Sequence, residues 1–280
     1  MKSVLIRLRE SMEALSHTEK SVAAYLLKYP NEAAASSIHV LSGATYASPS
    51  TIVRICRKLG FEGYKDMRRA LAYELAVRKQ SLENETREIT RSDSLEDIAE
   101  IITCKNIVSL EETKMLLDME TFQTCVKLVH SCRQILLFGL GASLCAAQDA
   151  YLKFLRLNKP CVINSDWHSQ LLQAINASQD DLGIVISYSG QTVEMIECIK
   201  AMKENRTPVI AITRYVPSPV SKLADYRLYT SSNESLFRSG AMSSRISQLN
   251  IIDILYTAFA NSEYDHSLEQ LSKTHIHKPS

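Results

Sequence analysis

Apolar and polar positions along the chain follow one periodicity in the first 80 residues and another after Gln134. In the first part, apolar residues recur every three or four positions, which is typical of amphipathic helices. Ser16 and Glu19 have the spacing of a capping box, so a helix is predicted to begin there and to end before Pro30. The same periodicity predicts helices over 38–43 and 64–79. The N-terminal part is therefore expected to be all helical.

The segment 48–60 carries the clearest helix signals in this part. Ser48 is a good N-cap, Pro49 fits the first helical position, and Gly60 can adopt the left-handed conformation that ends a helix. The predicted buried stripe consists of Ile52, Ile55, Cys56 and Leu59. The opposite face presents Ser50, Thr51, Arg54, Arg57 and Lys58. With the preceding helix and a short turn, this is the geometry of a helix-turn-helix that binds the DNA major groove, although a charged surface helix has the same pattern.

From Gln134 onward, short continuous apolar runs alternate with amphipathic helices. Such runs are typical of strands that are covered on both faces, and here they are 135–138, 161–163, 182–187, 208–213 and 226–229. The helices are predicted up to Leu157 and over 170–176, 192–205 and 239–260. This alternation predicts a doubly wound parallel sheet, which binds ligands beyond the carboxyl ends of its strands. The fold class is thus an all-helical domain followed by an α/β domain.

Charge separates the two parts further. The whole chain has a net charge of +1, but residues 1–80 hold 13 Lys and Arg against 7 Asp and Glu, whereas residues 81–280 hold 19 against 24. Eight of the basic residues lie between Arg54 and Lys79. A basic face on a small domain indicates binding to the phosphate backbone of a nucleic acid, although solvated surface helices also carry such charge.

Composition excludes several classes of protein. With 45% hydrophobic residues, a disordered chain is not expected. Apolar runs such as 135–138 are far too short to span a membrane, and Arg7 and Arg9 interrupt the apolar start too early for a signal peptide. The protein is expected in the cytoplasm. Its seven cysteines form no C-x-x-C pair, which favours reduced, packed thiols over disulfides or a zinc site.

Two strand-to-helix turns are rich in glycine and hydroxyl groups. Gly139 and Gly141 begin a dinucleotide fingerprint, but Leu144 stands where the third glycine is needed, so a nicotinamide cofactor is disfavoured and no cofactor is predicted. The turns instead suit a monophosphate, which needs a helix N-terminus and a few hydroxyls. The hydroxyl and glycine positions are Ser143, Ser187, Ser189, Gly190 and Thr192. Ordinary helix capping would explain one of these hydroxyls.

The residues at 48–64 resemble the helix-turn-helix signature of the RpiR/MurR family of bacterial transcriptional regulators. The segments 139–143, 187–194 and 238–249 resemble the sugar isomerase (SIS) domain that forms the C-terminal half of those regulators. The resemblance implies a helix-turn-helix domain over 1–80, a helical linker over 81–125, a SIS domain over 126–265 and a C-terminal tail over 266–280. Helices that follow the linker are expected to pack on the second domain, although a dimer contact would show the same periodicity.

The resemblance also implies roles for individual residues. Ser143, Ser187, Ser189 and Thr192 would hold the phosphate, and Gly141 and Gly190 are predicted to belong to the same phosphosugar site. His168 and Glu194 would face the sugar hydroxyls, and Arg245 would lie near the phosphate or the sugar. Each of these three has a simpler role open to it, as a surface histidine, a first-turn acid or a solvated arginine.

The two domains together predict a DNA-binding protein controlled by a phosphosugar. The resemblance implies, further, a repressor of sugar or aminosugar catabolism with an aminosugar phosphate such as N-acetylmuramic acid 6-phosphate as effector. A homodimer or homotetramer would bind an inverted-repeat operator, with no membrane or metal involved. The alternative is a phosphosugar isomerase, in which Glu194 or His168 would act as the base. An isomerase has no evident need of a basic helix-turn-helix domain.

Overall fold

The computed structural model describes residues 3–78, 89–231 and 241–275. Contacts divide the chain into two compact units, Met1–Leu116 (unit 1) and Leu117–Ser280 (unit 2). Lys79, at the end of the predicted basic stretch, lies outside the described residues. So do positions 239 and 240, where the last long helix was expected to begin.

All the regular secondary structure among the described residues of unit 1 is helical. Its helices are α1 Val4–Ser11, α2 His17–Lys28, α3 Pro30–Ala35, α4 Ile38–Thr45, α5 Pro49–Lys58, α6 Tyr64–Arg78 and α7 Leu95–Leu116. The capping box at the start of α2 is confirmed, since the Ser16 amide donates to Glu19 Oε2 over 2.9 Å. The sequence did not predict α3, a single short helix that begins at Pro30 directly after α2 ends.

Helix α5 has the caps and the buried face that its sequence predicts. Ile52, Ile55 and Cys56 are fully buried, and Leu59 is almost so. Gly60 has a φ of +79°, its amide donates to the carbonyl of Arg57, and the Phe61 amide donates to the carbonyl of Cys56. This pair of bonds is a Schellman motif, which uses the freedom of a glycine to satisfy the last carbonyls of a helix.

Unit 2 is built on a five-stranded, all-parallel sheet. The strands are β1 Ile135–Gly139, β2 Cys161–Ile163, β3 Leu182–Ile186, β4 Val209–Arg214 and β5 Tyr226–Thr230, in the spatial order β2-β1-β3-β4-β5. The helices are α8 Met119–Ser131, α9 Ala142–Arg156, α10 Trp167–Ile175, α11 Val193–Glu204, α12 Pro219–Leu223, α13 Met242–Ser262 and α14 Tyr264–Lys273. The predicted doubly wound sheet is confirmed, whereas α12 and α14 were not predicted.

Hydrophobic cores lie on both faces of this sheet. Alternate residues of β1 point to opposite sides, so Ile135 and Leu137 pack with α8, α9 and α13, whereas Leu136 and Phe138 pack with α10, α11 and α12. Burial on both sides explains why the strands have continuous apolar runs. The carboxyl ends of the strands, where the two glycine and hydroxyl turns begin, remain as the edge at which a ligand can bind.

The seven cysteines are free thiols. Burial raises the pKa of the Cys56, Cys125, Cys161 and Cys198 thiols to about 12, so these four behave as small apolar side chains. No helix in the described ranges is both long enough and apolar enough to cross a membrane.

Candidate functional site

The first candidate site is the exposed face of α5. In the turn before it, Tyr46 is 96% exposed and has a left-handed φ of +52°. Ser48 caps the helix, because its Oγ accepts from the Thr51 amide over 3.2 Å and also bonds the hydroxyl of Ser50 over 2.8 Å. The side chains of Ser48, Ser50, Arg54, Arg57 and Lys58 are exposed, and Thr51 is half-buried. The helix thus presents the predicted hydroxyl and basic groups on one surface.

Two of these basic residues are tied to one buried carboxylate. Glu19 is fully buried, and it binds Arg54 Nε over 3.1 Å and Lys58 Nζ over 2.8 Å. The hydrogen bond from Lys58, helped by Ser16 and Arg54 and opposed by burial, lowers the pKa of the Glu19 carboxyl from 4.5 to about 2. Glu19 therefore stays ionised and holds α5 against α2.

The second candidate site is a cavity of about 430 Å³ in unit 2, which we call the hydroxyl cavity. It lies at the carboxyl ends of β1 and β3, where the turns into α9 and α11 meet the first turns of α13. Its lining consists of Leu140, Gly141, Ala142, Ser143, Ile186, Ser187, Tyr188, Ser189, Thr192, Met195, Ala241, Ser244 and Gln248. None of these described lining residues carries a charge, so the cavity offers hydroxyl and amide groups only.

Two glycines shape the turns around the cavity. Gly141 is the N-cap of α9 with φ +56° and ψ −127°, a conformation that is essentially restricted to glycine. Gly190 has a φ of +64°, and a Cβ atom there would lie only 2.1 Å from Ser218 Oγ. A side chain at Gly190 would therefore displace the loop that carries Ser187, Ser189 and Thr192.

The hydroxyl groups of Ser143, Ser187 and Thr192 are positioned by bonds to one another or to α13. Gln248 Nε2 donates to Ser143 Oγ over 3.1 Å, and Ser187 Oγ lies 3.2 Å from Thr192 Oγ1. Thr192 is the N-cap residue of α11, yet its side chain makes no capping bond. Capping therefore does not account for Thr192, and its hydroxyl belongs to the cavity.

Comparison with known proteins gives this chain a family. Residues 2–78 match the helix-turn-helix domain of the rpiR family, and residues 128–258 match the SIS domain. A helix-turn-helix transcriptional regulator of Caldanaerobacter subterraneus, itself uncharacterized, is 34% identical over 98% of this chain and 96% of its own length. The chain belongs to the RpiR family of helix-turn-helix transcriptional regulators.

Two further relatives of this RpiR-family chain have individual protein names. The regulator HexR of Pseudomonas aeruginosa is 33% identical over 92% of this chain and 89% of its own length. The solved structure of Vibrio vulnificus NanR in complex with ManNAc-6P matches 96% of each chain at 28% identity, with a TM-score of 0.60. Both similarities extend over the two units, so the combination of helix-turn-helix and SIS domains is shared along the whole chain.

The hydroxyl cavity of this RpiR protein contains some of the predicted phosphosugar residues and leaves others out. It brings together Gly141, Ser143, Ser187, Ser189 and Thr192. Gly190 shapes the loop without lining the cavity. His168 is exposed in the first turn of α10, Glu194 is half-buried in the first turn of α11, and Arg245 is exposed on α13, all outside the lining.

Sequence reasoning missed three polar members of the cavity, Tyr188, Ser244 and Gln248. The last two lie on the buried face of α13, four residues apart, in line with Ile251, Ile252 and Leu255. Polar residues at the start of an otherwise apolar helical stripe were the available signal, because a buried polar group needs a partner. Tyr46 was likewise overlooked as an exposed aromatic residue beside the cap of α5.

Proposed function

We propose that this regulator represses genes of sugar or aminosugar catabolism and that a phosphosugar in the hydroxyl cavity controls its binding to DNA. The observation that carries the proposal is the convergence of Ser143, Ser187, Ser189 and Thr192 on one cavity at the carboxyl edge of the sheet. Neutral hydroxyl donors can hold a phosphate through charge-assisted hydrogen bonds, which are stronger than bonds between neutral groups. The ManNAc-6P complex of NanR supports an aminosugar phosphate as the class of effector.

The bond between Gln248 and Ser143 supports phosphate binding in a specific way. Because the Gln248 amide donates to Ser143 Oγ, the serine proton is left for another acceptor. In the Ser187 and Thr192 pair, one hydroxyl donates to the other, which again leaves one proton for a ligand. A phosphate oxygen is the acceptor that these protons suit.

Titration calorimetry with a panel of sugar phosphates tests the cavity. The Ser187→Ala/Ser189→Ala double variant should bind the preferred compound at least about tenfold more weakly, since hydrogen bonds to charged groups contribute about 1.5–3 kcal/mol each. Ser131→Ala, an exposed serine at the end of α8, is the matched control and should bind as wild type does. Unchanged affinity in the double variant would refute phosphate binding at this cavity.

On DNA, we propose that Ser48, Ser50, Thr51, Arg54, Arg57 and Lys58 form the contact surface, together with Tyr46. Arg57 is exposed and makes no ion pair with the described residues, so it is the residue most available to bind a base edge or a phosphate. Arg54 and Lys58 are held by Glu19 and would approach the DNA in a fixed orientation.

Arg57→Ala should weaken binding to a DNA site selected from a random library by about tenfold, since a base contact contributes about 1–3 kcal/mol. Lys20→Ala removes the same charge from an exposed position on α2 and serves as the control. Fluorescence anisotropy over a series of salt concentrations measures both. Equal losses in the two variants would show that Arg57 contributes only general charge.

We further propose that a two-fold symmetric oligomer in the cytoplasm presents paired α5 helices to an inverted-repeat operator. A phosphosugar that binds one arrangement of the oligomer better than another would change the spacing of these helices and therefore the affinity for DNA. The isomerase alternative is tested by incubating the protein with each compound that it binds and following aldose and ketose by NMR. Interconversion of the aldose and the ketose would show that the protein is an isomerase, and a purely regulatory role would then be wrong.

A further inference from the structure

Two polar side chains stand next to each other at the carboxyl edge of the sheet with atoms that lack partners. Arg214 ends β4 and Thr230 ends β5, and the two residues are paired in register. Thr230 is fully buried, and its Oγ1 has no hydrogen-bond partner among the described residues. Arg214 Nε is buried and likewise has none there. Buried polar groups in folded proteins are nearly always hydrogen-bonded, so this pair indicates a place for a ligand group.

Strand alternation places the pair on the face of the sheet that α9 and α13 cover. Ile210 and Ile212 of β4 and Leu228 of β5 belong to the core formed with α9 and α13. Arg214 and Thr230 follow these residues at intervals of two, so their side chains point to the same face. Ser143 and Gln248, which line the hydroxyl cavity, are carried by α9 and α13.

Tyr188 connects the pair to the cavity. It lines the cavity, its carbonyl accepts from the Arg214 amide over 3.2 Å, and its ring centroid lies 5.9 Å from the guanidinium carbon of Arg214. The cation–π contact orients the guanidinium but uses none of its N–H groups. Within the described chain, the Arg214 side chain has no carboxylate partner.

We infer that Arg214 and Thr230 form a second anion subsite beside the hydroxyl cavity, which binds a carboxylate of the effector. The inference rests on the proposed function, because it assigns the phosphate of the same ligand to the hydroxyl cavity. A guanidinium presents parallel N–H donors that match the two oxygens of a carboxylate, and the Thr230 hydroxyl adds a third donor. The effector is therefore a phosphorylated sugar acid, which carries both a phosphate and a carboxylate.

Matched ligand pairs test this subsite. The compounds 6-phosphogluconate and sorbitol 6-phosphate differ only in a terminal carboxylate against a terminal alcohol. N-acetylmuramic acid 6-phosphate and N-acetylglucosamine 6-phosphate form a cyclic pair that differs by a carboxylate-bearing substituent. Calorimetric titration is carried out on the full chain for wild type, Arg214→Met, Arg214→Lys and the control Arg156→Met, an exposed arginine at the end of α9.

In wild type, the acid of at least one pair should bind at least about tenfold more tightly than its neutral partner. Arg214→Met should remove that preference while the neutral compound keeps its affinity within about twofold, which also shows that the variant is folded. Arg214→Lys should retain part of the preference, because it keeps the charge without the planar fork. Arg156→Met should behave as wild type does.

The remaining outcomes separate the two proposals. If acids and neutral compounds bind equally well in wild type, or if Arg214→Met keeps the preference, the second subsite is refuted. Phosphate binding still stands in that case, provided that Ser187→Ala/Ser189→Ala weakens binding of both compounds at least about tenfold. If no compound binds, or if the double serine variant binds as wild type does, the proposed function fails and the subsite fails with it.

Discussion

At the scale of single residues, Glu19 does more than its sequence context indicates. Its carboxylate accepts from the Ser16 amide in a capping box and also binds Arg54 and Lys58 of α5. The capping role follows from a spacing of three residues, whereas the contacts with α5 join positions 35 and 39 residues apart. One buried charge thus fixes both the start of α2 and the orientation of two basic side chains that we assign to DNA.

Glu19→Gln should lower the free energy of unfolding of unit 1 by about 2 kcal/mol at pH 7, because two cations lose a buried anionic partner. The folded-state pKa of about 2 lies below the ordinary value of 4.5, so the unfolded state binds more protons between these values. The stabilisation is therefore complete above about pH 5 and is lost as the pH falls towards 2.

Chemical denaturation of wild type and Glu19→Gln from pH 7 down to pH 2 measures this difference. The difference in the free energy of unfolding between the two proteins should disappear across the lower half of that pH range. Lys20→Ala, in the same helix, should show no comparable pH dependence. If the difference in the free energy of unfolding stays constant down to pH 2, the carboxylate charge does not stabilise the contact between α2 and α5.

Gly190→Ala should destabilise unit 2 by about 2 kcal/mol and abolish binding of the phosphosugar. Its φ of +64° strains any side chain, and the added Cβ would collide with Ser218 Oγ. Gly43→Ala is the control, since a Cβ there meets nothing within 4 Å and the residue lies inside α4. That substitution should stabilise unit 1 by about 0.5–1 kcal/mol. Thermal unfolding followed by calorimetry checks both values.

At the scale of elements, local signals and long-range packing differ in how well the sequence reveals them. Helix α5 was predicted closely because its N-cap, its proline, its apolar stripe and its final glycine all lie within 13 residues. The central strands β1, β3 and β4 were likewise predicted, because burial on both faces leaves continuous apolar runs. By contrast, Ser244 and Gln248 enter the cavity only because α13 packs beside α9, which no local pattern encodes.

The same distinction explains His168, Glu194 and Arg245. These three residues were assigned by family resemblance. A match in sequence position does not determine whether the side chain lines a cavity in this chain. The structure puts all three on helix turns outside the hydroxyl cavity. Their contact with a sugar stays a prediction.

Helix α13 supplies a further prediction through Gln248. Gln248→Glu would place a negative charge in an uncharged cavity and would make the side chain accept from Ser143, so affinity for the phosphosugar should fall by more than about 100-fold. Gln248→Met keeps the volume and removes only the hydrogen bond, so a loss of about three- to tenfold is expected. Equal effects of the two variants in calorimetric titration would contradict a charge-sensitive site.

At the scale of the whole molecule, net charge predicts the partner of one part and misleads about the other. Residues 1–80 have the excess of basic groups expected for DNA binding, but residues 81–280 are acidic overall and are assigned an anionic ligand. The ligand would be held by local hydroxyls, with Arg214 beside them. Attraction to DNA is therefore expected to weaken steeply with salt, whereas binding in the neutral hydroxyl cavity should depend on salt much less.

The central claim is that a ligand in the hydroxyl cavity changes the affinity of the protein for DNA. It is tested most directly by measuring the affinity of the intact protein for its selected DNA site with and without a saturating phosphosugar, in wild type and in Ser187→Ala/Ser189→Ala. We predict a change of at least about tenfold in wild type and none in the double variant. Equal DNA affinity with and without the ligand in wild type, or the same change in the double variant, would contradict the account.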